Sequence, residues 1–404
     1  MGAKKLTERF WWVGTLDPGL RVFDIVMHTE YGTSYNSYLL KGDEKNVLFE
    51  SSKAEFIDEY IETIEEAVPI TDIDILVLDH TEPDHAGSVE RLLELNPALK
   101  VYATAGGLNL VKEIINRDLD SVAVKDGDEL DIGGRTLRFI TAPNLHWPDS
   151  MFTYIPEEKI LVTCDAFGAH CAYKQIVYDG RIDKERHLQE ARYYFDNIMG
   201  PFKDDVLKAV GKIDGLELDI IATGHGPALT GEPRFMVDLY REWASARGKG
   251  TGKLAVIPYV SAYGYTKALA ETIAEGARSA GDLDVELFDM VYTETEDVLK
   301  EIEKADGFLL GTPTLVGEAL PPIWDIAVSL NARVHGGRFA GAFGSYGWSG
   351  EGVPHIMDRL KQLKLKIVGE GLRVRFKPTD EDLARAFEYG KAFGTAILMG
   401  ELPE

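Results

Sequence analysis

The chain has 404 residues, 45% hydrophobic and 27% charged, an ordinary globular composition but more chain than one core usually organises, so two folded domains are expected. The formal charge of -24, from 67 acids against 43 bases spread along the chain, repels phosphate backbones and anionic lipid, which argues against nucleic acid and membrane surfaces as partners. Only two cysteines occur, Cys164 and Cys171, which argues against a disulfide framework and excludes any cysteine-ligated iron-sulfur or rubredoxin-type centre within the chain, since such a centre takes about four thiolates.

No apolar run approaches the roughly 18 to 20 residues of a membrane span, and the opening MGAKKLTERFWWVG lacks the apolar stretch and cleavage site of a signal peptide, so a cytoplasmic protein is expected. In chain order, strand-like runs at 38–40, 46–49, 73–78, 137–141 and 160–162 mix with helical patterns such as 88–95 and 108–115, which predicts an α/β sandwich of two sheets. The composition then shifts once, at 244–253, a small, Gly-rich and locally basic stretch, and the domain boundary is placed there: 1–249 and 250–404. Beyond it the alternation is strict. Strands at 254–260, 285–289, 307–311, 338–343 and 366–368 are separated by helical patterns such as 266–280 and 296–305, which predicts a parallel sheet covered on both faces.

The run 73–78 leads straight into Asp79-His80-Thr81-Glu82-Pro83-Asp84-His85, so four potential metal ligands converge on one strand-to-helix turn. A lone histidine is usually a satisfied core residue; imidazole and carboxylate alternating at a strand end point to metal. Three more strand ends supply His146, Asp165 and His225. The resulting set of four imidazoles and three carboxylates suits two metal ions sharing one carboxylate, with a position left open. Carboxylate-rich nitrogen and oxygen donors suit iron or manganese, whereas hydrolytic zinc pairs are content with mostly imidazole, so Glu82 is the discriminating residue. Cys164 beside Asp165 is a poor match for this hard donor set, and strand alternation turns it away from the metals, so a buried thiol is expected.

In the second half, the first strand runs into Ser261-Ala-Tyr-Gly264-Tyr-Thr266 at a helix start, a turn able to wrap a phosphate. Neither the Walker pattern nor Gly-x-Gly-x-x-Gly is present, which argues against ATP and a Rossmann-bound NAD. Two further loops, one carrying Thr312 and Thr314 and the other Ser345, Tyr346, Gly347 and Trp348, add aromatics between glycines that can flank a flat ring.

His80-x-Glu82-x-Asp84-His85 followed by His146, Asp165 and His225, with the flanking stretches Gly32 to Tyr38 and His146 to Met151, resembles the diiron site of the flavodiiron proteins, or A-type flavoproteins, in their simplest two-domain class. The three later loops are similar to those of flavodoxins. The resemblance implies a metallo-β-lactamase-like αββα sandwich followed by a flavodoxin-like doubly wound parallel sheet. It also implies FMN and two iron ions per chain: one iron on His80, Glu82 and His146, a second on Asp84, His85 and His225, and Asp165 bridging. In some members the residue matching His85 is displaced by solvent, so its bond is the least secure. His28, His170, His187, His335 and His355 match no ligand position, although His170 and Tyr194 remain candidates for donating protons or orienting a bound gas.

For FMN, the resemblance implies phosphate contacts at Ser261, Gly264 and Thr266 and ring contacts at Tyr346, Gly347 and Trp348, with Thr312, Thr314 and Ser345 in the same loops. Many members carry Asn after the Pro-Thr of the middle loop, and this chain has Val316-Gly317. The implied activity is reduction of dioxygen to water or nitric oxide to nitrous oxide, with electrons from a separate rubredoxin or reduced deazaflavin coenzyme, in a head-to-tail homodimer or dimer of dimers. Glu404 follows soon after the second domain, and no appended rubredoxin or flavin-reductase module is expected. Two other readings stay open: a dinuclear zinc hydrolase fused to a flavodoxin, and a non-enzymatic electron carrier or gas sensor.

Overall fold

The computed structural model describes residues 2–24, 27–179, 181–245 and 253–402. The chain divides into two compact units, Met1–Ser245 and Ala246–Glu404. The expected boundary between 249 and 250 lies outside the described residues.

The first unit is built on two seven-stranded sheets. Along Ile75–Val77 the side chains alternate: Ile75 and Val77 enter the core between the sheets, while Leu76 packs outward against Val89 and Leu92 of the helix Val89–Leu95. Ile160–Cys164 in the other sheet repeats the pattern, with Ile160 and Val162 inward and Leu161 under the helices Lys184–Tyr194, Lys203–Lys212 and Arg234–Ser245. Helices thus cover both outer faces, and central strands such as Ile75–Val77 and Ile160–Cys164 are buried on both sides. This is the expected αββα sandwich.

The second unit has a parallel sheet in the order Leu283–Asp289, Lys253–Tyr259, Gly307–Gly311, Phe339–Tyr346, Lys366–Ile367. The order reverses direction at its first strand, which opens a crevice at the carboxyl ends of Lys253–Tyr259 and Gly307–Gly311. Tyr265–Ser279 and Asp380–Met399 cover one face together; a Cβ at Gly276 or Gly390 would strike the backbone of the other helix, so both glycines are needed for that approach.

One strand departs from expectation. The run predicted to end at residue 343 continues to Tyr346, because Phe343 to Tyr346 pair with Leu372–Arg375, a strand with no counterpart among the predicted elements. Ser345 and Tyr346 therefore sit on a strand end and not in a loop. Among the described residues no helix is long and apolar enough to cross a membrane.

Candidate functional site

All seven candidate metal ligands meet at strand ends of the first unit. His80 and Glu82 follow Ile75–Val77, and Asp84 and His85 lie on the short helix Pro83–Ala86, whose first residue is a proline that needs no backbone hydrogen bond there. His146, Asp165 and His225 follow Thr136–Thr141, Ile160–Cys164 and Ile220–Thr223 of the second sheet.

The ligands form two groups joined by one carboxylate. Glu82 Oε2 lies 3.2 Å from His80 Nε2 and 2.9 Å from His146 Nε2, and Asp165 Oδ2 lies 3.0 Å from His146 Nε2. The other oxygen, Asp165 Oδ1, lies 2.8 Å from His85 Nε2 and 3.4 Å from His225 Nε2, while Asp84 Oδ2 is 3.5 and 3.3 Å from the same two nitrogens. Despite this crowding, His85 Nε2 and both Asp84 oxygens make no aligned hydrogen bond among the described residues. Donor atoms that converge without bonding one another fit a shared cation.

The outward nitrogen of His225 is held as a metal-bound histidine requires, and that of His80 faces a carboxylate. His225 Nδ1 lies 2.6 Å from the Ser34 carbonyl oxygen and His80 Nδ1 lies 3.5 Å from Asp149 Oδ1; Asp149 Oδ2 accepts the Thr81 amide at 2.9 Å and the Thr81 hydroxyl at 2.8 Å. Charge follows the same logic. Burial opposes ionisation of His146, but bonding to Asp165 and Glu82 pushes it up to about 9. His225 is likewise pushed up to about 9 against burial, by Asp84 and Asp165. Burial works against the Asp165 carboxylate too, but the His85 charge and the His146 bond hold it well below the usual range. Carboxylates that retain protons on facing imidazoles are a site from which a cation can displace those protons.

Two neighbours, Asp149 and Asp24, carry no sequence signature of their own. Asp149 lies inside a stretch used only for its resemblance. Asp24, beside the Glu82 and Asp84 charges, is pushed up to about 6 by partial burial and then by those charges. His170 packs on His225 at 4.8 Å between ring centres and shares Thr33 Oγ1 with it, while the Tyr194 ring stands 4.9 Å from His170. Cys164 is buried, and burial pushes its thiol up. Strand alternation does not turn it away, however. At φ 46° it breaks the alternation, and its Sγ lies within 4.8 Å of a Glu50 oxygen and a His85 nitrogen.

In the second unit a cleft of about 290 Å³ is lined by Tyr263, Tyr265, Thr314, Ser345, Tyr346, Gly347 and Trp348, together with Phe376. Phe376 escapes the sequence because it follows the unpredicted strand. Gly264, at φ 81°, opens the helix Tyr265–Ser279, whose first-turn amides suit a phosphate. Ser261 and Thr266 flank this turn: Ser261 Oγ accepts the Lys267 amide at 3.2 Å and Thr266 Oγ1 is 2.9 Å from Ser345 Oγ. Thr312 is buried with its hydroxyl committed to Pro313 and Leu320, so it shapes the middle loop and does not line the cleft. Val316 and Gly317, at φ 53° and 74°, form the two-residue turn of the hairpin Thr314–Leu315 to Glu318–Ala319, the geometry a tight hairpin demands.

Comparison with known proteins agrees with both halves. Residues 33–226 match the family described as ODP family beta lactamase, and residues 257–390 match flavodoxin. Flavo-diiron protein FprA2 of Clostridium acetobutylicum is 43% identical over 98% of this chain and 100% of its own length. The chain belongs to the flavodiiron family. A relative named nitric oxide reductase, from Moorella thermoacetica, is 35% identical over 97% of this chain and 98% of its own. The solved rubredoxin oxygen:oxidoreductase of Desulfovibrio gigas, 29% identical, covers 98% of this chain and 99% of its own with a TM-score of 0.71. As a flavodiiron protein the chain is an oxidoreductase, with FMN as the cofactor of its flavodoxin-like unit and a non-haem iron pair as that of its β-lactamase-like unit.

Proposed function

We propose that the protein reduces dioxygen to water or nitric oxide to nitrous oxide in the cytoplasm, using electrons that enter through FMN from rubredoxin or a reduced deazaflavin coenzyme. The observation that carries this reading is Asp165, whose two oxygens face separate groups of ligand atoms. His80, Glu82 and His146 would hold one iron, Asp84, His85 and His225 the other, and Asp165 would bridge them. Held there, a ferrous pair would supply two electrons and reduced FMN two more, which matches the four electrons dioxygen takes and the pairing that two nitric oxide molecules need.

The chain's own residues supply the setting. Asp149 and the Ser34 carbonyl orient His80 and His225, and the carboxylates lower the net charge of the pair. Ser261, Gly264 and Thr266 would receive the FMN phosphate, with Tyr346, Gly347 and Trp348 along the ring and Thr314 and Ser345 at its edge. A head-to-tail homodimer, alone or paired into a dimer of dimers, would let one subunit's flavin serve the other's irons. Glu82 disfavours the zinc-hydrolase reading, in which imidazole would stand at that position.

The test is anaerobic. The purified protein should carry iron and FMN and consume one or both gases with one of the two donors. Zinc in place of iron, or no steady turnover with either gas and either donor, would defeat the reading. Subunits inactivated separately at metal and flavin sites should recover activity when mixed if the head-to-tail arrangement holds.

A further inference from the structure

Behind the second group of ligand atoms lies a buried carboxyl that the proposed chemistry does not use. Glu50 is 1% exposed and adopts φ 59°, a conformation strained for a non-glycine residue. Its main chain is pinned there: the amide donates to Val77 O at 2.9 Å, and the carbonyl accepts Ser37 Oγ at 3.0 Å and Tyr60 Oη at 3.2 Å. Glu50 Oε1 accepts the Asp79 amide at 2.6 Å. Oε2 has no hydrogen-bond partner among the described residues, and neither does His85 Nδ1.

These two atoms are complementary. A Glu50 oxygen and a His85 ring nitrogen lie within 4.8 Å of each other. His85 Nε2 faces Asp165 Oδ1 at 2.8 Å, which leaves Nδ1 for the Glu50 side. The Gly224 backbone packs close to this ring, where a Cβ would come 2.8 Å from His85 Cε1. A buried donor and a buried acceptor are each costly to leave unpaired, so a small approach, or one bridging water, would satisfy both.

We infer that Glu50 is the positioning residue for His85: its Oε2 accepts the Nδ1 proton and so fixes the tautomer that presents Nε2 to the second metal ion. The inference rests on the diiron reading above. It gives the least secure ligand its own anchor, as Asp149 anchors His80 and the Ser34 carbonyl anchors His225. A metal-bound histidine deprived of such a partner typically loses 10–100-fold in metal affinity.

Glu50→Gln is diagnostic because its carbonyl can stay on the Asp79 amide, which turns its NH2 toward Nδ1 and favours the wrong tautomer. Zinc alone serves as the probe, titrated into metal-stripped full-length protein against a chelator. We expect two zinc ions in the wild type, with the weaker one bound about 10–100-fold more loosely in E50Q and the tighter one unchanged. In a His85→Asn background E50Q should add nothing, which a merely structural role of Glu50 would not produce. Independently of any variant's folding, histidine-labelled wild type loaded with zinc should show a slowly exchanging Nδ1 proton on His85. Equal zinc affinity in E50Q and wild type, an undiminished E50Q effect in the H85N background, or an unprotonated Nδ1 would overturn the inference. A wild type that takes up fewer than two zinc ions would instead overturn the dinuclear reading itself.

Discussion

The two candidate sites occupy equivalent places, the carboxyl ends of strands, yet they are built in opposite ways. His80, His85, Asp165 and His225 are at most 2% exposed, whereas Tyr263, Trp348 and Val316 around the flavin cleft are 80%, 83% and 99% exposed. An ion brings almost no surface, so the protein itself must desolvate and aim every donor before the ion arrives. A flat ring brings a large apolar area, so the protein can leave aromatics standing open and let the cofactor complete the packing. The energetic signature of the first site is therefore already present in its hydrogen bonds, and that of the second should appear only on binding.

The largest effect that would test this contrast is at Asp165. Asp165→Asn should take metal content below one ion per chain by elemental analysis while FMN content stays at the wild-type level; retention of both ions would break the contrast. Next comes acid. Burial pushes His187 down to about 4, and His335 in the other unit likewise down to about 4. Below about pH 6.5 the unfolded chain takes up these protons first, so stability that is complete above that pH is lost progressively as the pH falls toward 4, by roughly 2–3 kcal/mol per histidine. Denaturant curves of His187→Leu should flatten that loss for the metal-site unit and leave it in the flavin unit.

A smaller effect is expected at Trp348. Trp348→Ala should weaken FMN by about 5- to 30-fold, roughly 1–2 kcal/mol, in fluorescence titrations, with metal content unchanged. The smallest is at Val316. A β-branched residue at φ 53° is strained, and Val316→Gly should stabilise the flavin unit by roughly 0.5 kcal/mol, the strain relieved being partly offset by the freer unfolded chain.

The contrast also explains what was legible in the sequence. The seven metal-ligand candidates could be read because their types sit in a dense motif or at recognisable strand ends, and the strict strand-helix alternation of the second half announced its parallel sheet. Asp149 and Glu50 could not be read: a single carboxylate acquires meaning only once folding sets it beside His80 or His85, dozens of residues away. Leu372–Arg375 was missed because four residues with alternating arginines carry too short a pattern, and Phe376 was lost with it. Thr312 looked like its hydroxyl-bearing neighbours, and only the path of the loop shows its oxygen facing Pro313 and Leu320.

The ligand atoms come from both layers of the sandwich: His80 and His85 follow a strand of one sheet, and Asp165 and His225 follow strands of the other. Any cation seated among them is a rivet through the two sheets. Loading should therefore raise the unfolding temperature of the first unit by mass action, even in a variant that can no longer receive electrons, and starvation for metal would loosen the scaffold along with the chemistry.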